Sequence, residues 1–230
     1  TRRLTMIYKC LPLILFCAFS FKPLNTADLE KNVISNTDPK LIASNAKVAL
    51  ETKCKTFYTT IDANNLSLPK FDSFFAAFQG YEQLKAQGKI TNEILTVIDF
   101  SLSSIEERMW VIDMKTQKVI LKSLVAHGRN SGVEFATNFS NENESYKSSL
   151  GFYLTGEVYQ GKHGLSLRLD GMEYGINDKA RDRAVVIHGA DYVSKKLARA
   201  QGYIGRSQGC PAVPYEVHKK LIETIKDKSC

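Results

Sequence analysis

Between residues 94 and 187 the apolar side chains arrive in short runs, and that pattern constrains the fold more than any other feature. Ile94-Leu95-Thr96-Val97-Ile98-Asp99-Phe100, Met109-Trp110-Val111-Ile112-Asp113 and Val119–Val125 are rich in β-branched and aromatic residues and are separated by polar turns. Gly151–Thr155, Leu165–Leu169 and Ala184–Ile187 continue the series. Runs of this length predict strands, because branched side chains pack well on a pleated surface and restrict a helix. The body is expected to be a β-sheet protein, mainly β with a few helices (α+β).

Helical spacing flanks this region. Phe71, Phe74, Phe75, Phe78, Tyr81 and Leu84 form one stripe, with Gly88 as a stop, and the stripe is expected to pack on the sheet as core. Near the end, Ser194 is positioned to cap a short helix running through Leu197 to Gln201, with Gly202 beyond it. Pro214 opens another, whose Val217, Leu221 and Ile225 share a face. Residues 21–65 are polar, apart from a weak helical stretch near Leu41 to Leu50, and are expected to form a linker or arm; residues 66–230 form the single main domain.

The first residues have a different character. Arg2, Arg3 and Lys9 precede an uncharged run from Cys10 to Phe19, and Ala18-Phe19-Ser20 supplies small residues where a signal peptidase reads them, predicting a secretory leader over residues 1–20. The run is shorter than the roughly 20 apolar residues of a membrane span, and Pro12 interrupts it. Contact with the membrane is expected only through this leader, before cleavage. Phe16 and Lys9 precede Cys17 and Cys10, so no lipoprotein signal is present. Without the three leader cations the net charge of +7 falls to +4, mixed along the chain and without the basic-aromatic pattern of a nucleic-acid binder.

Beyond the leader three cysteines remain: Cys54, Cys210 and Cys230. An odd number in an oxidising compartment leaves one thiol over, and Cys210 is the candidate for a reserved one. It lies in Gly205-Arg206-Ser207-Gln208-Gly209-Cys210-Pro211, a loop that follows Ile187-His188-Gly189-Ala190 at the end of an apolar strand. Cysteine attacks as its thiolate, and an imidazole within reach can remove the proton. His188 is the expected base, and the N–H groups of Gly209 and Cys210 are the expected oxyanion donors. No Asp or Asn is evident as a third member, so a backbone carbonyl near Gly189 is expected to orient the ring. Taken singly, Cys210 could be a buried thiol or half of a disulfide, and His188 a core histidine; the pairing beside glycines favours catalysis.

These residues resemble the L,D-transpeptidase catalytic domain, also called the YkuD domain, in which a strand ends in His-Gly and a loop then carries Ser or Thr, one residue, Gly and Cys. His188-Gly189 and Ser207-Gln208-Gly209-Cys210 match in order and spacing. Ile98–Ser101, Ala126–Gly132, Ser148–Tyr153 and Gly161–Gly164 resemble the branch of murein L,D-transpeptidase catalytic-domain-like proteins, and the likeness covers about Phe71 to Cys230. The resemblance implies a β-sandwich catalytic domain in a bacterial periplasm or cell envelope. Its partners would be peptidoglycan stem peptides, and it would need no metal or organic cofactor. Cys210 would attack the L-to-D peptide bond of a tetrapeptide stem, D-alanine would leave, and an amine or water would resolve the thioester. Tyr153, on the segment around Gly151, and Ser207 would sit with the substrate.

Two departures stand out. Pro211-Ala212 replaces the Arg or Asn that usually comes two places after the cysteine, and Arg206 is a candidate for the missing cation. The chain also ends at Cys230, before the last strand the family usually adds. His127 could line the cleft or cap a turn, His163 is similar, and His218, among lysines, is expected to be solvated. Rival readings are a zinc peptidase using His127, His163, His188 and Asp170, for which no local metal spacing exists, a hydrolase of the same bond, and a non-catalytic wall-peptide binder.

Overall fold

The computed structural model describes residues 39–230, so the expected leader and the first part of the expected arm lie outside the described residues. Four helices and seven strands follow in order: α1 (Pro39–Thr60), α2 (Phe71–Ala86), β1 (Ile94–Ile98), β2 (Met109–Asp113), β3 (Lys118–Ser123), β4 (Tyr153–Gly161), β5 (Gly164–Gly171), β6 (Val186–Gly189), α3 (Lys195–Gln201), β7 (Ala212–Val213) and α4 (Tyr215–Ile225). The strands form two sheets, β1-β2-β3 and β4-β5-β6-β7. The mixed α+β architecture with a strand-built body agrees with the strand runs in the sequence.

The first sheet is an antiparallel meander, with Val97 opposite Trp110 and Val111 opposite Leu121. One of its faces carries Leu95, Val97, Trp110, Ile112 and Val119, which pack with Phe74, Phe78 and Tyr81 of the α2 stripe. Met109, Val111 and Leu121 point the other way, into a core shared with Leu167, Leu169 and Ile187 of the second sheet and Leu221, Ile222 and Ile225 of α4. Alternation along β2 thus supplies two cores, the consequence of a two-residue side-chain period.

The helical stretch expected near Leu41 to Leu50 is longer than its composition indicated. Cys54 is buried, and the rings of Phe57 and Tyr58 lie 5.4–6.1 Å from those of Phe71, Phe74 and Phe78. The compact unit accordingly runs from Lys47 to Cys230 and reaches back into the segment expected as an arm. Intervening Glu51, Lys53 and Lys55 mask the apolar spacing of this helix, which is set by tertiary burial rather than by mean hydropathy.

The last residues join the two sheets. Cys230 N donates to Ile94 O at 3.2 Å and Thr96 N to Cys230 O at 2.8 Å, while Thr155 N donates to Ser229 O at 3.0 Å. As expected, Ser194 caps α3 by accepting from Leu197 N, and Gly202 closes it in the left-handed conformation at φ 78°. No helix among the described residues is long and apolar enough to cross a membrane.

Candidate active site

His188 sits on β6, a strand buried at all four positions, between antiparallel β5 (Ser166 opposite His188) and parallel β7 (His188 opposite Ala212). The parallel register puts the ring's strand beside the segment that leaves Cys210, two residues before Ala212. Gly189 is there because α4 packs directly on it: a Cβ would lie 2.4 Å from Tyr215 Cδ1 and 2.9 Å from His218 Cγ. The same close approach buries His218, whose Nδ1 is 2.8 Å from Tyr215 O, so the expectation that His218 is solvated does not hold. Lys219 and Lys220 follow it in sequence, but its own face of the helix meets the sheet.

His188 Nδ1 lies 2.9 Å from Gly189 O. With Nδ1–H donating to that carbonyl, Nε2 keeps its lone pair, the tautomer a general base needs. The ring of His163, at the β4–β5 turn, stacks on it with centroids 4.4 Å apart and planes 20° apart. Burial pushes the His188 pKa below its ordinary value, the Gly189 bond opposes this, and His163, Lys162 and His218 lower it further by like-charge repulsion.

Cys210 ends a loop fastened from both sides. Ser207 N donates to His127 O at 2.9 Å and Arg129 N to Ser207 O at 2.8 Å. Ser207 Oγ donates to Cys210 O at 2.6 Å and accepts from Gly209 N at 3.0 Å. Ser148 Oγ donates to Gly209 O at 3.1 Å and accepts from Gly128 N. Gly209 itself adopts φ +125°, a conformation that favours glycine. Its amide is therefore committed within the loop, in contrast to the expected pair of oxyanion donors. The Cys210 N–H has no partner among the described residues.

The thiol is partly exposed, with Sγ 3.8 Å from Ala184 O. Burial raises its pKa, while the Val186 N–H and the cations Arg183 and Lys162 pull it down. Burial moves thiol and imidazole in opposite directions, both toward the neutral form.

The remaining expected site residues are placed as follows. His127 is wholly buried, its Nδ1 2.7 Å from Arg108 Nη2 and its Nε2 3.3 Å from Gly132 O, so both ring nitrogens are engaged inside the chain. Arg206 is exposed and donates to Arg129 O and Gly132 O, bracing the turn beside His127. Tyr153 Oη donates to Ser149 O at 3.0 Å and meets Ser149 Oγ at 2.9 Å. Asp170 is paired with Arg181. Cys54 and Cys230 are unpaired, and burial pushes their thiols up to about 11 and about 12.

Sequence reasoning missed Arg183. It sits in no apolar run and no motif, and only the 173–185 turn segment brings it against the nucleophile loop. A cavity of about 550 Å³ lies behind that loop, lined from both sheets by Leu95, Val97, Phe152, Ile187 and Pro211 among others, and reaching Gly209.

No curated protein and no solved structure matches the chain. A family model does, over residues 65–230, a span that contains β1 to β7, the His188 strand and the Cys210 loop. With more than half of the chain matched, this protein belongs to the L,D-transpeptidase catalytic-domain family.

Proposed function

We propose that the protein is an exported L,D-transpeptidase that acts on peptidoglycan stem peptides through a Cys210 thioester. The observation that carries this reading is the tethering of His188 Nδ1 to Gly189 O on the strand that pairs with the segment after Cys210. It leaves Nε2 as the free basic nitrogen beside a loop ending in a thiol.

Because burial favours the neutral forms of both groups, the resting state is thiol and imidazole rather than a preformed ion pair. His188 Nε2 takes the thiol proton as sulfur attacks the carbonyl carbon of the L-to-D bond. The Cys210 N–H donates to the carbonyl oxygen as charge develops there. When the intermediate collapses, the C–N bond breaks and His188 returns the proton to the departing D-alanine amine. An acceptor amine, losing its proton to His188, then attacks the thioester, and the thiol is regenerated. Ser207 and Ser148 hold the loop, Gly209 supplies its unusual backbone angle, and Tyr153 fixes the neighbouring Ser149 segment. His127 and Arg206 support the opposite flank of the loop.

Purified protein is to be incubated with tetrapeptide-bearing muropeptides and the products read by mass spectrometry. Loss of D-alanine together with stem-to-stem cross-links is the expected result. Loss of D-alanine with water as sole acceptor would make the protein a carboxypeptidase, and unchanged stems would overturn the reading. Export is tested separately, by finding the N-terminus of the protein recovered from the envelope; the expected leader ends at Ser20.

A further inference from the structure

We propose that Arg183 is the counter-charge of the Cys210 thiolate, the cation against which negative charge on sulfur is held during acyl transfer. The proposal rests on Cys210 being the nucleophile.

The guanidinium is half-buried, and its hydrogen-bond acceptors are all neutral oxygens. Nη1 donates to Ser140 O at 2.8 Å and to Ser149 Oγ at 3.1 Å, and Nη2 to Lys147 O at 2.6 Å and to Ser145 Oγ at 3.3 Å. Among the described residues no carboxylate forms an ion pair with it. A cation held in place by neutral dipoles has unspent charge, and in a partly desolvated site that charge acts on whatever ionisable group is nearest. The ionisable groups it acts on most are Tyr153, whose phenol burial keeps neutral, and Cys210. The guanidinium lies against the nucleophile loop: a Cβ on Gly209, the residue before Cys210, would lie 3.4 Å from Arg183 Nη2.

The backbone around Arg183 serves the same sulfur. Ala184, in the left-handed region at φ 52°, turns its carbonyl to Cys210 Sγ at 3.8 Å, and the Val186 N–H favours the thiolate. One segment thus supplies an acceptor for the thiol, a donor for the thiolate, and a cation. The other charged or titratable groups that act on the thiol are Lys162 on the β4–β5 turn and Tyr192, whose phenol is pushed up to about 12 and stays neutral. A neutral His188 cannot act as the counter-ion in the resting enzyme, and Arg206 is turned to the far side of the loop.

The test is the pH dependence of Cys210 alkylation by iodoacetamide, followed by peptide mass spectrometry in full-length wild type, Arg183→Lys and Arg183→Gln. In Arg183→Gln the midpoint should rise by about one pH unit, which slows alkylation at pH 7 roughly tenfold, and Arg183→Lys should recover most of the shift. A side chain that only ties Ser140, Ser149 and Lys147 together would lower the melting temperature and leave the midpoint where it was, and that result would overturn the proposal. Should Arg183→Gln fail to fold, wild type and Lys162→Gln carry the test. Iodoacetate relative to iodoacetamide should be faster at Cys210 than at glutathione, less so in high salt, and still so without Lys162; a ratio equal to that of glutathione refutes it. Unchanged muropeptides with a shifted midpoint would remove the substrate assignment alone.

Discussion

Ser207 Oγ bridges the nucleophile loop, donating to Cys210 O at 2.6 Å while accepting from Gly209 N at 3.0 Å. One hydroxyl thereby holds two successive peptide units around the thiol. Ser207→Ala leaves the buried Gly209 amide without its acceptor, at a cost of about 1–3 kcal/mol. Misplacement of the sulfur should slow acylation by on the order of a hundredfold. Ser207→Thr, which keeps the hydroxyl, should stay within a few-fold of wild type; single-turnover kinetics and thermal melts of the two variants check this.

Cys210→Ser should abolish turnover without unfolding the protein, a loss of about three orders of magnitude or more, whereas Cys54→Ala should keep activity. The buried thiols explain the contrast: with pKa values of about 11 and about 12, Cys54 and Cys230 are scarcely ionised at neutral pH. A carbapenem, whose strained lactam carbonyl is activated, should form one covalent adduct in wild type, absent from Cys210→Ser and from His188→Ala. Intact-mass analysis reads this directly. An undiminished adduct in Cys210→Ser would displace the nucleophile assignment.

Stability should fall in mild acid because of His127. Its pKa drops to about 4, first through burial and then through the Arg108 cation, so the native state holds it neutral where the unfolded chain, near 6.5, binds a proton. The stabilisation is complete above pH 6.5 and is lost as pH falls toward 4, by about 3 kcal/mol in all. His188, also lowered, adds in the same direction. Urea unfolding between pH 4 and 8 should show this slope, and His127→Gln, which can still accept from Arg108 and donate to Gly132 O, should flatten it.

The stack of His163 on His188 bears on the base itself. His163→Ala removes both cover and like charge, so the His188 pKa should rise toward the ordinary 6.5 or so of an open imidazole. His163→Phe, which keeps the cover without the charge, should fall between the alanine variant and wild type. NMR titration of the ring protons follows each; an unmoved His188 in the alanine variant would show that the turn does not cover the base in solution.

The local code was legible wherever a residue's role depends on its neighbours in the chain. Strand runs, the Phe71–Leu84 stripe, the Ser194 cap and the nearness of His188-Gly189 and Cys210 to glycines are all short-range signals, read from periods of two or 3.6 and from turn chemistry. Tertiary structure decided what depends on residues far apart in sequence. His127 became a core acceptor because Arg108 is folded under it, and His218 was buried because Gly189 lets α4 close on β6. The Gly209 amide was committed to Ser207 Oγ, two residues away, through a loop geometry that Ser148, across the fold, helps to hold. Arg183 reached the loop before Cys210 through a turn with no periodicity to announce it. Burial and charge are properties of the assembled site, so the candidate nucleophile and base could be named along the chain, but the burial, charges and hydrogen bonds around them were set only when separate segments met.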